Sequence, residues 1–398
     1  MLESYTELLG SDIVSSIRNK AKTFLNKTVF HLNSTKFGGG VAELLSNMVP
    51  LMKELGLEPR WEIFSAPDDF FEVSKKMHNA LQGNRDITFS EEEISLYLDQ
   101  AKNTYEEVHP EGDYVIIHDP QPCPVIKHAK DRKGKWIWRC HIDTSDPNLQ
   151  AWNLVSEFIP MYDAQVFTKN EYARNGLHYN LFQIPPSIDP FDVKNKPLEE
   201  ETAKDIAEKF VPLDLPIVTQ VSRFDPWKDP LGVIDAYRII KKELPCRLVL
   251  IGSLASDDPE GMDWLKKTKS YAGDDPNIHI LSNLDGVGSL EVNAFQHISD
   301  VVFQKSIKEG FGLTVTEALW KETPVIGGNV GGIKLQIENG INGFLVDTVE
   351  EAAEKAIQVL KDPEMAKEMG KKGREKVKNE FLLLRQVEKY LDLFKEIS

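Results

Sequence analysis

Cysteine is scarce in this chain. Only three occur in 398 residues, Cys123, Cys140 and Cys246, and no two stand at CxxC spacing. An odd and low count in a long chain excludes a disulfide scaffold and a zinc knuckle, and it fits a reducing, cytoplasmic setting. Long apolar runs are missing as well. Nowhere do roughly eighteen apolar residues stand together, so no transmembrane helix is expected. The opening MLESYTELLGSDIVSSIRNKAKTFLNK carries polar residues throughout and lacks the apolar core of a secretory signal. Basic charge is also short, with 47 Lys and Arg against 63 Asp and Glu and a net charge of −16. A basic footprint dominates binding to nucleic acid and anionic membranes, so neither is expected as the main partner. Solenoid repeats and low-complexity tracts are absent. The 41% of hydrophobic residues excludes wholesale disorder.

What is present is an alternation of short apolar strands and helices. At one to two hundred residues per domain, the length argues for two domains or three. In the first half, strands are expected at Val29–Asn33, Arg60–Phe64, Tyr114–His118, Trp136–Ile142 and Gln165–Thr168, with helical stretches between most of them. Before them, Leu8, Leu9, Ile13, Val14 and Ile17 fall at helical spacing and read as a helix packed on the body. The proline-rich IPPSIDPFDVKNKP (Ile184–Pro197) interrupts the pattern, and an acidic helical segment, Leu198–Phe210, follows. A second series has strands at Ile217–Val221, Arg247–Ile251, Ile278–Leu281, Val301–Gln304, Pro324–Ile326 and Phe344–Val346. Beyond Val346 only helix is expected, ending in the amphipathic Leu382–Ile397. Such alternation predicts βαβ units and two mainly parallel, doubly wound sheets, with ligands at the carboxyl ends of the strands.

Four segments carry chemistry. The first, Ser306-Ile-Lys-Glu-Gly-Phe-Gly-Leu-Thr-Val-Thr-Glu317, follows a strand and enters a helix. Gly310 and Gly312 let the backbone approach a ligand, and the helix start near Leu313 offers unpaired N–H groups to a phosphate or sugar hydroxyl. Glu309 and Glu317 flank this loop, and a carboxylate accepts the paired hydroxyls of a ribose or hexose well. Taken alone, the same spacing also describes a glycine turn with two surface glutamates. The second, Ser222-Arg223-Phe-Asp-Pro-Trp-Lys228, lies after the first strand of the second half. Arg223 and Lys228 could hold a diphosphate, or could be two solvated loop cations. The third, Thr35-Lys36-Phe-Gly38-Gly39-Gly40, stands between a strand and a helix. It is neither GxGxxG nor the lysine-containing phosphate loop, so a dinucleotide or ATP reading is weak. The fourth is a pair of strand ends, His118-Asp119-Pro-Gln121 and Arg139-Cys-His141-Ile-Asp143. One such histidine is usually structural, but two at the same sheet edge favour a site. Zinc on His118, His141 and an aspartate is conceivable, although no HxH or HExxH spacing supports it.

With these segments in view, the chain resembles the retaining glycosyltransferases of family 4, which have the GT-B fold. The likeness covers nearly the whole chain. It rests on Glu309 and Glu317 around GFGLTVT, Arg223 with Lys228, the glycines at 38–40, His141 closing a strand, and Gly328-Asn-Val-Gly331-Gly332-Ile followed by NGINGFLV. HLNSTKFGGGVAELL and WRCHIDTSDPN look most like the trehalose synthases of that family, which use a nucleotide-sugar donor and free glucose. One departure is Gly331-Gly332-Ile333-Lys334-Leu335, where many relatives have glutamate after GGxP. It puts a side-chain contact from that point in doubt, though not a backbone one.

The resemblance implies an α/β architecture of two Rossmann-like domains facing across a cleft: an acceptor-side domain over 1–190, a nucleotide-sugar domain over 191–380, and a crossover helix over 381–398. It implies that Arg223 and Lys228 bind the donor's diphosphate and that Glu317 holds the ribose diol. Glu309 and the amides of Gly310, Phe311, Gly312 and Leu313 would hold the donor glucose. His141 would approach the transferred sugar, with Gly39 and Gly40 near the diphosphate and acceptor. His118, Asp119 and Asp143 are weaker candidates for sugar contacts. The implied reaction transfers α-glucose from a nucleoside diphosphate glucose, such as UDP-glucose or ADP-glucose, to the anomeric hydroxyl of glucose. Domain closure is expected to dry the site. No tightly bound cofactor and no protein-held metal are expected; magnesium could assist without being an obligatory ligand. The oligomeric state stays open, a homo-oligomer included. A trehalose phosphorylase, a trehalose-6-phosphate synthase using Lys36 and Arg139 for the acceptor phosphate, and a non-enzymatic nucleotide-sugar sensor are the alternatives.

Overall fold

The computed structural model describes residues 1–35, 40–174, 180–254 and 259–398. The chain divides into two compact units, Met1–Pro186 with Leu383–Ser398, and Ser187–Leu382.

The first unit is built on six parallel strands: β1 (Thr28–Asn33), β2 (Glu58–Ile63), β3 (Tyr114–His118), β4 (Lys135–Cys140), β5 (Ala164–Phe167) and β6 (Leu181–Gln183). They lie in the order β2-β1-β3-β4-β5-β6. Five of these stand where the apolar runs place them. The sixth is a three-residue edge strand of partly exposed residues, too short to leave a periodic signal. Successive strand residues face opposite sides of the sheet. Phe30, Leu32, Val115, Ile117, Trp136, Trp138 and Cys140 join one buried cluster. His31, His118 and Arg139 therefore occupy the other side, where the register pairs His31 with Ile116 and His118 with Arg139.

The last helix, Leu383–Ile397, belongs to this first unit. Its buried Leu383, Leu384, Val387, Tyr390, Leu391 and Phe394 recur at helical spacing. Phe394 stacks on Tyr114 of β3 with ring centroids 4.1 Å apart. The N-terminal segment forms two helices, Leu2–Leu9 and Ser11–Ala21, rather than the single one expected. Gly10, at φ 89°, breaks them; a left-handed backbone at that point suits glycine. Val14 and Ile17 are buried as expected, while Leu8 and Ile13 are only partly covered. Lys20 then bridges to Glu388 and Asp392 of the last helix, at 3.1 and 2.7 Å.

The second unit holds β7 (Ile217–Val221), β8 (Arg247–Gly252), β9 (Ile278–Ser282), β10 (Val301–Gln304), β11 (Val325–Gly328) and β12 (Gly343–Val346). All pair in parallel, in the order β12-β11-β10-β7-β8-β9. The order reverses between β7 and β10, and a doubly wound sheet opens its ligand crevice at such a switch point. The acidic segment becomes the helix Glu200–Ala207. The proline-rich stretch contributes one parallel bridge, from Ile188 to Leu382. All three cysteines are buried and free.

Candidate functional site

In the second unit a polar cluster forms at the switch point. Gln220, next to last in β7, and Gln304, the last residue of β10, are both buried. The loop after β7 makes one 3-10 turn, Pro226–Lys228, capped by Asp225, whose Oδ1 accepts from the Lys228 amide at 3.0 Å. Gln220 donates to the Lys228 carbonyl at 2.9 Å. These bonds aim Lys228 at Glu309, and its ammonium meets Oε2 at 2.5 Å. The same oxygen accepts from Gln304 Nε2 at 3.2 Å and Ser306 Oγ at 3.3 Å. Three donors on one oxygen fix the orientation of the carboxylate. Thr314 Oγ1 donates to Gln304 Oε1 at 2.8 Å, tying the helix start to the strand end. Lys305 pairs with Asp229 beside this group.

The glycines around this loop have a steric reason. The helix Leu313–Trp320 starts after Gly312, which sits at φ 81° and supplies no side-chain cap. The Val315 amide turns back to the Gly312 carbonyl at 2.9 Å, which leaves the Leu313 and Thr314 amides, among the described residues, to a ligand or to water. A Cβ on Gly328 would lie 2.2 Å from the Ser306 carbonyl oxygen, and one on Gly332 would lie 2.5 Å from that of Gly310. The 328–332 segment thus packs directly on the backbone of the 306–312 loop. Gln336 Nε2 locks the two together by donating to the Phe311 carbonyl at 2.6 Å.

Arg223 stands apart from this cluster. Its side chain is exposed and meets Asp225 Oδ2 at 3.3 Å. Glu317 is buried inside its helix face, 2% exposed. Gln296 donates to its Oε2 at 3.1 Å, and Lys194 lies 3.4 Å from its Oε1. Lys321 donates to its carbonyl at 3.1 Å, and burial pulls the Lys321 ammonium down to about 8. Glu309 and Glu317 share no hydrogen-bond partner among these contacts.

In the first unit the candidate histidines form a line. His118 Nδ1 lies 3.0 Å from His141 Nε2, and His118 Nε2 lies 3.1 Å from His31 Nδ1. The rings stack, with centroids 5.3 and 5.4 Å apart. Burial holds all three rings well below the ordinary histidine range, His31 at about 3, and the Arg139 charge adds to the effect on His118 and His141. Asp119, in the left-handed region at φ 68°, accepts from the His141 amide at 2.8 Å. Burial raises its carboxyl to about 6. Asp143 is spent locally, accepting from the Ser145 amide and hydroxyl at 2.9 and 2.6 Å. The zinc arrangement read as conceivable is not formed: the histidine nitrogens face one another, and no three metal-binding side chains converge among the described residues. Gly39 lies outside the described residues, with Lys36 and Gly38. Gly40 opens the helix Gly40–Glu54.

Sequence reading missed His31, Gln220, Gln304, Ser306 and Lys194. A usable signal existed for three of them. His31, Gln220 and Gln304 are large polar residues within or at the end of mainly apolar strands. Lys194 had none, since it sits in the irregular proline-rich stretch.

Comparison with known proteins gives the family and the fold. Residues 31–174 match the family model described as the N-terminal domain of trehalose synthase, and residues 201–376 match that of group 1 glycosyl transferases. The chain is 48% identical to a trehalose synthase of Thermococcus litoralis over 98% of its own length and 96% of the relative's. It is 46% identical to one of Rubrobacter xylanophilus, over 100% of its own length and 97% of the relative's. A trehalose phosphorylase of Pleurotus pulmonarius is 26% identical, aligned over 86% of this chain and 54% of that protein. Among solved structures, the α,α-trehalose 6-phosphate synthase of Burkholderia multivorans superposes with a TM-score of 0.72 at 13% identity, over 94% of this chain and 99% of the other. A Rickettsia africae glycosyltransferase gives 0.71 at 22%, over 94% and 98%. These superpositions carry the GT-B fold to both units. The extent and level of identity place function on the same footing: the chain belongs to the trehalose synthase family of group 1 glycosyltransferases.

Proposed function

We propose that the protein is a retaining hexosyltransferase that makes α,α-trehalose from a nucleoside diphosphate glucose and glucose. The observation that carries this reading is the Lys228–Glu309 pair at the β7/β10 switch point, beside an uncapped helix start. That combination gives one cation, one carboxylate and the uncapped Leu313 and Thr314 amides within a single loop cluster. An ammonium has three donors. One goes to Glu309, and the others remain for a diphosphate oxygen. Arg223, exposed on the same loop as Lys228, supplies a planar fork for the same group. Cleavage of the donor C1–O bond builds oxocarbenium character on the sugar and negative charge on the diphosphate. Arg223, Lys228 and the amides near Leu313 stabilise that negative charge.

Glu309, held by three donors on one oxygen, orients sugar hydroxyls rather than attacking C1. In this reading the leaving phosphate takes the acceptor proton by a front-face route. Glu317 binds the ribose diol. His141 contacts a sugar hydroxyl, with His118 and Asp119 behind it. Asp143 is the weakest of these, since its carboxylate already closes its own turn. The leucine at 335, where many relatives have glutamate, matters little here, because Gly328 and Gly332 act through backbone packing. No step needs a metal held by the protein.

The phosphorylase alternative is less well supported, because those relatives share about a quarter of their residues with this chain and extend well beyond it. A direct test separates the two. Release of nucleoside diphosphate from a nucleoside diphosphate glucose should depend on added glucose and not on inorganic phosphate. Glucose-independent turnover, or turnover only with trehalose and phosphate, would overturn the reading.

A further inference from the structure

We propose that His31 and His118 are positioning residues that hold His141 in one neutral tautomer, with its proton on Nδ1. The inference deepens the reading of His141 as a sugar contact and rests on it for its catalytic consequence. The line of rings has two links, His31 Nδ1 to His118 Nε2 and His118 Nδ1 to His141 Nε2. Each link needs one N–H and one lone pair. Three neutral rings therefore have two consistent arrangements. In one, all three protons sit on Nδ1 and each donates toward His141. In the other, all three sit on Nε2 and each donates toward His31.

The inner end of the line decides between them. His31 Nε2 is buried and has no hydrogen-bond partner among the described residues. Protonating it would strand a donor away from water, which native structures avoid more strictly than an unused acceptor. The protons therefore lie on Nδ1. A cationic ring would relieve the constraint, because it donates from both nitrogens. Burial opposes that, as does the Arg139 guanidinium on the same sheet face. Asp119, a carboxylate beside His141, bonds to the backbone amide rather than to the ring. His141 is then left with Nδ1–H as its outward group and its Nε2 lone pair spent on His118. It donates to a sugar oxygen and has no lone pair with which to take a proton.

The test uses the full-length protein labelled with 15N-histidine. Long-range proton–nitrogen spectra read the tautomer of each ring directly, without turnover. The expected result is three neutral rings at neutral pH with pyrrole-like Nδ1 and pyridine-like Nε2. His31→Phe removes the donor at the start of the line, so His141 should become a mixture of tautomers. Its kcat should fall roughly tenfold or more through lost orientation, with KM for the nucleotide sugar unchanged. His31→Asn places an amide N–H where Nδ1 stood and should restore both readouts. A pyrrole-like Nε2 on His141 in the parent protein, or an unchanged His141 spectrum in His31→Phe, would overturn the proposal. If the spectra agree but His141→Ala turns over normally, the tautomer lock stands and the assignment of His141 to the sugar falls.

Discussion

Lys228 Nζ lies 2.5 Å from Glu309 Oε2, so the cation assigned to the diphosphate and the carboxylate assigned to the sugar restrain each other. Their side chains are 14% and 10% exposed. Removing one member of so enclosed a pair leaves the other charge without compensation, typically at a cost of about 3 kcal/mol or more. Lys228→Met and Glu309→Gln should each destabilise the fold, and the double variant should lose much less than the sum. Urea unfolding of all four proteins measures the coupling. Additive losses would show that the contact carries no energy.

Arg223 gives the opposite pattern. Its side chain is 71% exposed, and among the described residues its ion pair is to Asp225. Arg223→Ala should leave the thermal midpoint within a degree or two of the parent, since exposed pairs contribute little. It should nevertheless lower kcat/KM roughly a hundredfold, the usual loss when a donor to a developing negative charge is removed. Normal turnover would remove Arg223 from the diphosphate site.

The glycines separate by steric demand. Gly328→Ala forces a Cβ to within 2.2 Å of the Ser306 carbonyl, so the loop that carries Glu309 must move. Both stability and turnover should fall. A Cβ added at Gly40 would meet no atom within 4 Å among the described residues. Gly40→Ala should therefore fold normally, and a loss of turnover with an unchanged melting point would report close approach of a ligand. Equal melting points for the two variants would contradict the packing described for Gly328.

Protonation should shape stability in acid. The folded-state values of His31, His118 and His141 lie below the ordinary histidine value, so their contribution is present above about 6.5. It is lost as the pH falls below that value, because the unfolded chain takes up protons that the folded chain refuses. Asp119 acts with the opposite sign. Raised to about 6, it contributes fully below the ordinary carboxylate range and loses that contribution as the pH rises through 6. His118→Asn should flatten the acid loss between pH 6.5 and 5 by about one proton, or about 1.4 kcal/mol per pH unit. Asp119→Asn should be more stable than the parent at pH 8. Urea unfolding across pH 5 to 8 checks both signs.

Much of this was legible in the sequence because strands buried on both faces leave continuous apolar runs, as in YVIIH at β3 and VVFQ at β10. Glycines 310, 312, 328 and 332 marked the loop by composition. The pairing of Lys228 with Glu309 across 81 positions was not legible, because only the β7–β10 pairing brings those loops together. His31 escaped notice for a related reason. A lone histidine in TVFHLN reads as a satisfied core residue until the register sets it in line with His118 and His141. The turn at Gly10 and the short β6 depend on one backbone angle and one edge pairing, neither of which has a periodic signature.

The most direct measurement is the identity of the product. The protein is incubated with glucose and each nucleoside diphosphate glucose in turn, and the disaccharide is examined by proton NMR. A single symmetric anomeric signal of α form, appearing with at least one donor, is the predicted result. No disaccharide with any donor, together with glucose 1-phosphate formed from trehalose and inorganic phosphate, would contradict it.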